Sequence, residues 1–187
     1  MPQVFTSTMV GAPVGEVWAL LRDFAAIGSW HPTLPPCEIE GGPADRVGCV
    51  RVFPLAGGHR ETLVSLDDEC RAIAFSFADN AAGLRVRRYL STMSARPVTS
   101  ANHTYVEWVS RFDCDESDED AMITEVRDGV LAPGLKALEQ RLGPSGPSGP
   151  SMAAVEATPG TAGELDPHQD RRLLIAGLIC RFWAVPG

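Results

Sequence analysis

The stretch Cys49-Val50-Arg51-Val52-Phe53-Pro54-Leu55-Ala56-Gly57-Gly58-His59-Arg60-Glu61-Thr62-Leu63-Val64-Ser65-Leu66 decides the fold. Residues 49–53 and 59–66 read as two short strands. Between them, Leu55-Ala56-Gly57-Gly58 supplies the positive backbone angles of a hairpin turn, because glycine has no Cβ to clash. Arg51 and Glu61 flank that turn on neighbouring strands. An odd loop count makes them cross-strand neighbours on one face, since strand side chains alternate with a period of two.

Working outward, Asp67-Asp68-Glu69 makes a second turn, and residues 71–77 alternate bulky and small side chains. Further strands are predicted at 84–93 and 104–112, with an N-terminal one at 4–9. A helix precedes the hairpin. Pro13 suits its first position, and Val14, Val17, Trp18, Leu21 and Phe24 form one apolar stripe. Between helix and hairpin lies a loop full of breakers: Gly28, Pro32, Pro35, Pro36, Gly41, Gly42 and Pro43. After the strands, a long helix is predicted over 118–142. Ile123, Val126, Val130, Leu131, Leu135, Leu138 and Leu142 line one face, and Pro133 kinks it. The acids Asp113, Asp115, Glu116, Asp118, Glu119 and Asp120 suit the positive end of that helix. No EF-hand spacing accompanies them.

This order predicts an α+β fold: a curved antiparallel sheet of about six or seven strands wrapped around the long C-terminal helix. A curved sheet closed by one kinked helix leaves a cavity, and such cavities hold small apolar molecules.

Composition narrows the function. The chain has 187 residues, is 44% hydrophobic, and carries a formal charge of -8, which repels nucleic acid and anionic lipid. No apolar run reaches the ~20 residues of a membrane span, and no export signal is visible at the start. The five cysteines are widely spaced without a C-x-x-C, and the four histidines are scattered. Zinc, phosphate-loop and serine-nucleophile signatures all fail, so no metal and no cofactor are expected. Reduced thiols fit a cytoplasmic protein. Residues 1–142 form the expected domain. Residues 143–172, opening on Gly143-Pro144-Ser145-Gly146-Pro147-Ser148-Gly149-Pro150, read as a disordered linker. Residues 173–187 form a short apolar tail, which either docks on something or is a dispensable extension, the reading favoured here.

Several motifs in order carry a resemblance. They are the helix Ala12-Pro13-Val14-Gly15-Glu16-Val17-Trp18-Ala19-Leu20-Leu21-Arg22-Asp23-Phe24, then Trp30-His31-Pro32, Gly48-Cys49-Val50-Arg51, Arg60-Glu61-Thr62-Leu63, Leu66-Asp67-Asp68 and Val106-Glu107-Trp108. Over residues 4–142 the chain resembles the helix-grip superfamily called SRPBCC, which includes START and birch-pollen-allergen-like proteins. It is most similar to the branch holding bacterial polyketide cyclase/dehydrase proteins and plant lachrymatory factor synthase. The resemblance implies a working pair at Arg51 and Glu61 and a pocket tyrosine at Tyr89. A further pocket tyrosine of that branch falls within residues 75–77, where this chain has none.

Chemistry supports the pair independently. In an apolar cavity, dehydration raises a carboxyl pKa and a nearby guanidinium lowers it, a balance expected to leave Glu61 able to take and give protons near neutrality. Arg51, always charged, would hold a developing oxyanion. Two readings of the pair stand at this point: pocket residues, or a surface salt bridge of little energetic weight. Tyr89 either orients a ligand or reaches water. Trp30, His31, Phe53, Phe75, Phe77, Arg88, Trp108 and Val130 complete the candidate ligand-binding set. His31 either borders the cavity mouth or faces solvent, and Glu107 is expected outside, opposite Trp108. Arg85 and Arg87 share one strand face, leaving Arg88 the other, toward the pocket. The function expected is a cofactor-free cyclase, dehydratase or isomerase acting on a small hydrophobic oxygenated molecule. The alternative is a non-catalytic carrier of such a ligand.

Overall fold

A computed structural model describes residues 1–81 and 83–143. The expectations for a linker and an apolar tail lie outside the described residues, apart from Gly143. In chain order the elements are β1 (Gln3–Val10), α1 (Val14–Leu21), α2 (Ile27–Trp30), β2 (Glu38–Glu40), β3 (Val50–Phe53), β4 (His59–Asp67), β5 (Ala72–Phe77), β6 (Arg87–Val98) and β7 (His103–Asp113). The C-terminal helix follows as α3 (Glu119–Thr124), a π-helical segment (Glu125–Leu131) and α4 (Ala132–Leu142). All seven strands form one antiparallel sheet in the order β1-β7-β6-β5-β4-β3-β2.

Alternation along the strands sets the inner face. On β7, Thr104, Val106, Trp108, Ser110 and Phe112 are buried, while Tyr105, Glu107 and Val109 between them are only half-buried. On β6, Tyr89, Ser91, Met93 and Ala95 face the same core. Register shifts between Leu63 and Ser65 and between Arg87 and Leu90 bend the sheet, as bulges do. Val126, Leu131, Leu135 and Leu138 of the helix fill the concave side.

The breaker loop holds more order than its prolines and glycines suggest. One helical turn, α2, buries Ile27 and Trp30, and β2 pairs with β3. Gly28 is needed there: a Cβ would stand 2.3 Å from the carbonyl oxygen of Pro35.

Pro133 does not simply kink one long helix. It opens α4, directly after the π segment. Proline has no N–H for the carbonyl four residues back, which belongs to Gly129. The Thr33 hydroxyl donates to that carbonyl instead, at 3.4 Å, and the His31 ring meets the Val130 carbonyl at 2.9 Å. Gly134 then lets α4 close on the sheet, because a Cβ there would lie 2.6 Å from both His31 and Trp108.

Candidate functional site

The site begins with the register of the β3–β4 hairpin. Arg51 pairs with Glu61, so both side chains leave the same face, and that face is the inner one. Arg51 is 1% exposed and Glu61 7%. The surface reading of this pair is thereby excluded. Arg51 Nε donates to Glu61 Oε2 at 2.6 Å, and Nη2 also touches that oxygen. Nη1 donates to the Phe24 carbonyl at 3.1 Å. The guanidinium lies over the Phe24 and Phe75 rings, 4.3 and 4.4 Å from their centroids. Aromatic faces attract a cation that has lost its water. Nη2 makes no hydrogen bond of acceptable geometry among the described residues.

His59 shares the inner face with Glu61 because it lies two residues earlier on β4. Its Nε2 sits 3.2 Å from Glu61 Oε1. The ring stacks on Phe53 at 5.9 Å and meets Phe77 edge-on at 5.0 Å. Burial pushes the Glu61 carboxyl up. The Arg51 guanidinium and the hydrogen bonds from His59 and Arg51 together outweigh that and hold it below its ordinary value. The carboxylate form of Glu61 is thereby favoured. An ionised carboxylate only accepts, so Nε2 of His59 carries the hydrogen between them.

A second polar row crosses β6 and β7. The Trp108 indole N–H donates to Ser91 Oγ at 2.7 Å, Ser91 and Ser110 hydroxyls are 3.0 Å apart, and Tyr89 OH is 2.8 Å from Ser110 Oγ. Burial pushes the Tyr89 phenol up to about 12, so it stays neutral. Phe77 stacks on it at 4.1 Å.

Between these rows and the helix lies a cavity of about 90 Å3. Arg51, His59, Glu61, Phe75, Tyr89 and Trp108 form its buried walls. Half-exposed Thr33, Leu34, Leu84, Glu125 and Gly129 mark its mouth. At roughly 10–15 Å3 per enclosed water, the space suits a ligand with on the order of ten non-hydrogen atoms.

The structure brings Arg51, Glu61, Tyr89, Phe75, Phe77, Trp108 and Val130 to this cavity. Other candidates fall elsewhere. Arg88 has a positive φ of 50° at the β6 register shift, which breaks the alternation and turns it to solvent, paired with Asp113. Trp30 and Phe53 are buried behind the walls, Trp30 against Trp108 and Phe53 beneath His59. His31 neither faces solvent nor lines the cavity. It is 3% exposed, sits edge-on to Trp108, and ties the loop after α2 to the π segment. Burial pushes it down to about 4, so it is neutral. Sequence reasoning missed His59, although its two-residue spacing from Glu61 was the signal. It also missed Thr33, Leu34, Leu84, Glu125 and Gly129, whose placement depends on loops and on the π segment.

Seven antiparallel strands curved around a C-terminal helix make this a helix-grip fold. The chain belongs to the family described as polyketide cyclase/dehydrase and lipid transport, whose model matches residues 1–143. It is similar to a Thermobifida fusca protein of known solution structure, at 30% identity over 76% of this chain and 93% of that one, with a TM-score of 0.69. A Nitrosospira multiformis protein follows at 26% identity, 76% and 97% coverage and a TM-score of 0.64. The di-domain ARO/CYC BexL of the BE-7585A biosynthetic pathway shares the fold at 19% identity, with a TM-score of 0.61 over 75% of this chain and 46% of that one.

Proposed function

We propose that the cavity binds a small, hydrophobic, oxygenated molecule and that the domain promotes a cofactor-free proton transfer on it: cyclisation, dehydration or isomerisation. The observation that carries this reading is the Arg51–Glu61 pair, buried at the wall of a mostly apolar cavity. Burying a charge pair is costly to folding, and apolar residues of equal volume would serve stability as well or better. Its position at a cavity points to use.

Arg51, a permanent cation in the cavity wall, would stabilise negative charge developing on a bound carbonyl or enolate oxygen in a low-dielectric space. The indole of Trp108 can only donate. Run from it, the hydroxyl row passes through Ser91 and Ser110 to the Tyr89 oxygen, which leaves the phenol hydrogen for a ligand oxygen. The family resemblance implies the same working residues, Arg51, Glu61 and Tyr89.

The second reading is a carrier, favoured by how fully Glu61 is already engaged. The cavity volume suits a compact ligand rather than a long acyl chain. Nucleic acid is not a proposed partner: Arg85, Arg87 and Arg88 are each paired, with Asp118, Asp115 and Asp113. Among the described residues no helix is long and apolar enough to cross a membrane. A cytoplasmic site of action and a single working domain at 1–142 complete the proposal.

Native mass spectrometry of the purified protein, before and after mild desolvation, tests the reading. A retained neutral molecule that Glu61→Gln leaves unconverted supports catalysis. Release of the same unaltered molecule from both forms supports the carrier. Absence of any retained or added ligand in the cavity contradicts both.

A further inference from the structure

We infer that Glu125 is a specificity-determining residue: the compact ligand carries a basic amine on its apolar body, held as an ammonium at the cavity mouth beside the Glu125 carboxylate. The inference rests on the binding reading above and adds to it the charge that the ligand bears.

Charge is unevenly spread around the cavity. The formally charged side chains among its described lining residues are Arg51, Glu61 and Glu125. Arg51 and Glu61 are paired and cancel at the buried wall. Glu125 lies half-buried at the mouth, on the π-helical segment, and among the described residues no hydrogen bond or ion pair engages it. The arginines that flank the mouth along the chain are spent on other acids. Arg85, next to Leu84, pairs with Asp118, and Arg127, just past Glu125, pairs with Asp128. The wall is thereby neutral and the mouth negative.

The side chains of the rim also lack a donor. A Cβ on Gly129 would stand 3.9 Å from Glu125 Oε1, so that oxygen lies over a backbone that lines the cavity with it. Thr33, on the same rim, has its hydroxyl hydrogen committed inside the protein. The acceptors in its reach are the Gly129 carbonyl at 3.4 Å and His31 Nδ1 at 3.2 Å, and the Thr33 N–H, which donates to Nδ1, marks that nitrogen as an acceptor. Leu34 and Leu84 are apolar. A carboxylate or phosphate on the ligand would meet the Glu125 charge with no side-chain donor to hold it. A neutral hydroxyl offers one hydrogen, whereas an ammonium brings three donors and the opposite charge. The apolar body then packs among Ile27, Phe75 and Phe77.

The test compares probes of one shape: cyclohexylmethylamine, cyclohexylmethanol and cyclohexanecarboxylate. Calorimetric titration at neutral pH and low ionic strength gives each Kd, and chemical-shift mapping locates each probe. The amine should bind about tenfold tighter than the alcohol, water at the mouth screening part of the attraction, and the carboxylate should bind more weakly than the alcohol. Glu125→Gln keeps the shape of a side chain that holds no partner in the fold, and should bring amine and alcohol to within about threefold of each other. Glu16→Gln removes the same charge from the exposed face of α1, no residue of which lines the cavity, and should leave the preference intact. High salt should shrink the preference in the unaltered protein and not in Glu125→Gln. Equal affinities for the three probes with shifts at Phe75, Phe77 and Tyr89 overturn the inference and spare the binding reading. So does a preference that survives Glu125→Gln, or one that Glu16→Gln removes as well. Failure of all three probes to bind, or shifts confined to residues outside the cavity, overturns both.

Discussion

Arg51→Met isolates the electrostatics on which the site depends. Methionine fills part of the space between Phe24 and Phe75 but removes the charge, the hydrogen bond to the Phe24 carbonyl and the contact with Glu61. With side chains only 2% and 9% exposed, the pair gets little screening from water. Removing one partner of such a pair costs about 3–5 kcal/mol, because the other charge is left uncompensated. For a domain of this size that corresponds to a fall in Tm of about 10–15 °C. The pH dependence is the sharper signature. In the unaltered protein the folded Glu61 titrates below its ordinary value, so its contribution is present at neutral pH and fades as pH falls through the folded value. Without Arg51, burial is the largest influence left and drives that value above the unfolded one. The penalty is then full at neutral pH and relieved in acid, so the gap between the two proteins narrows from pH 7 toward pH 4. Urea unfolding at several pH values measures it. A gap under about 1 kcal/mol at pH 7, as an exposed pair would give, or one that does not change with pH, would refute the reasoning. Arg51→Met with Glu61→Leu should recover most of the loss.

Other outcomes follow from single contacts. Gly134→Ala forces a Cβ into His31 and Trp108 and should cost about 1–3 kcal/mol in chemical denaturation, with loss of ordered near-UV signal from Trp108. His31 is held neutral down to about 4, whereas in the unfolded chain it takes its proton near 6.5. Its contribution is present above 6.5 and lost as pH falls to about 4, which amounts to about 3 kcal/mol. His31→Gln should flatten the stability profile across that window. Tyr89→Phe removes one buried hydrogen bond and should cost about 1 kcal/mol in thermal unfolding, while weakening binding of phenols and ketones more than of hydrocarbons.

The sheet was legible because its strands keep period two: Thr104 through Phe112 alternate cleanly, and an odd count between Arg51 and Glu61 sets both on one face, as their pairing shows. Alternation misled where the backbone departs from it. Arg88 was placed inside by parity, but its positive φ breaks the count, and no local motif announces that bulge. The helix stripe announced a kink at Pro133. It did not announce the π segment before it, whose carbonyls meet Thr33 and His31 about a hundred residues earlier. His31 looked like a loop histidine because burial of a loop is a tertiary fact. His59 was readable from Glu61 by the same period-two rule that found Arg51. The state of Glu61 was not, since it depends on how many donors converge on one carboxylate.

The central claim is that the walls bearing Arg51, Glu61 and Tyr89 enclose a space that a compact oxygenated ligand enters. Chemical-shift mapping with cyclohexanone, on the unaltered protein and on Val130→Trp, which plugs that space, addresses it directly. The account predicts shifts concentrated at Phe75, Phe77, Tyr89 and Trp108 that disappear in the plugged variant. Shifts scattered over the outer face of the sheet, or unchanged in Val130→Trp, would contradict it.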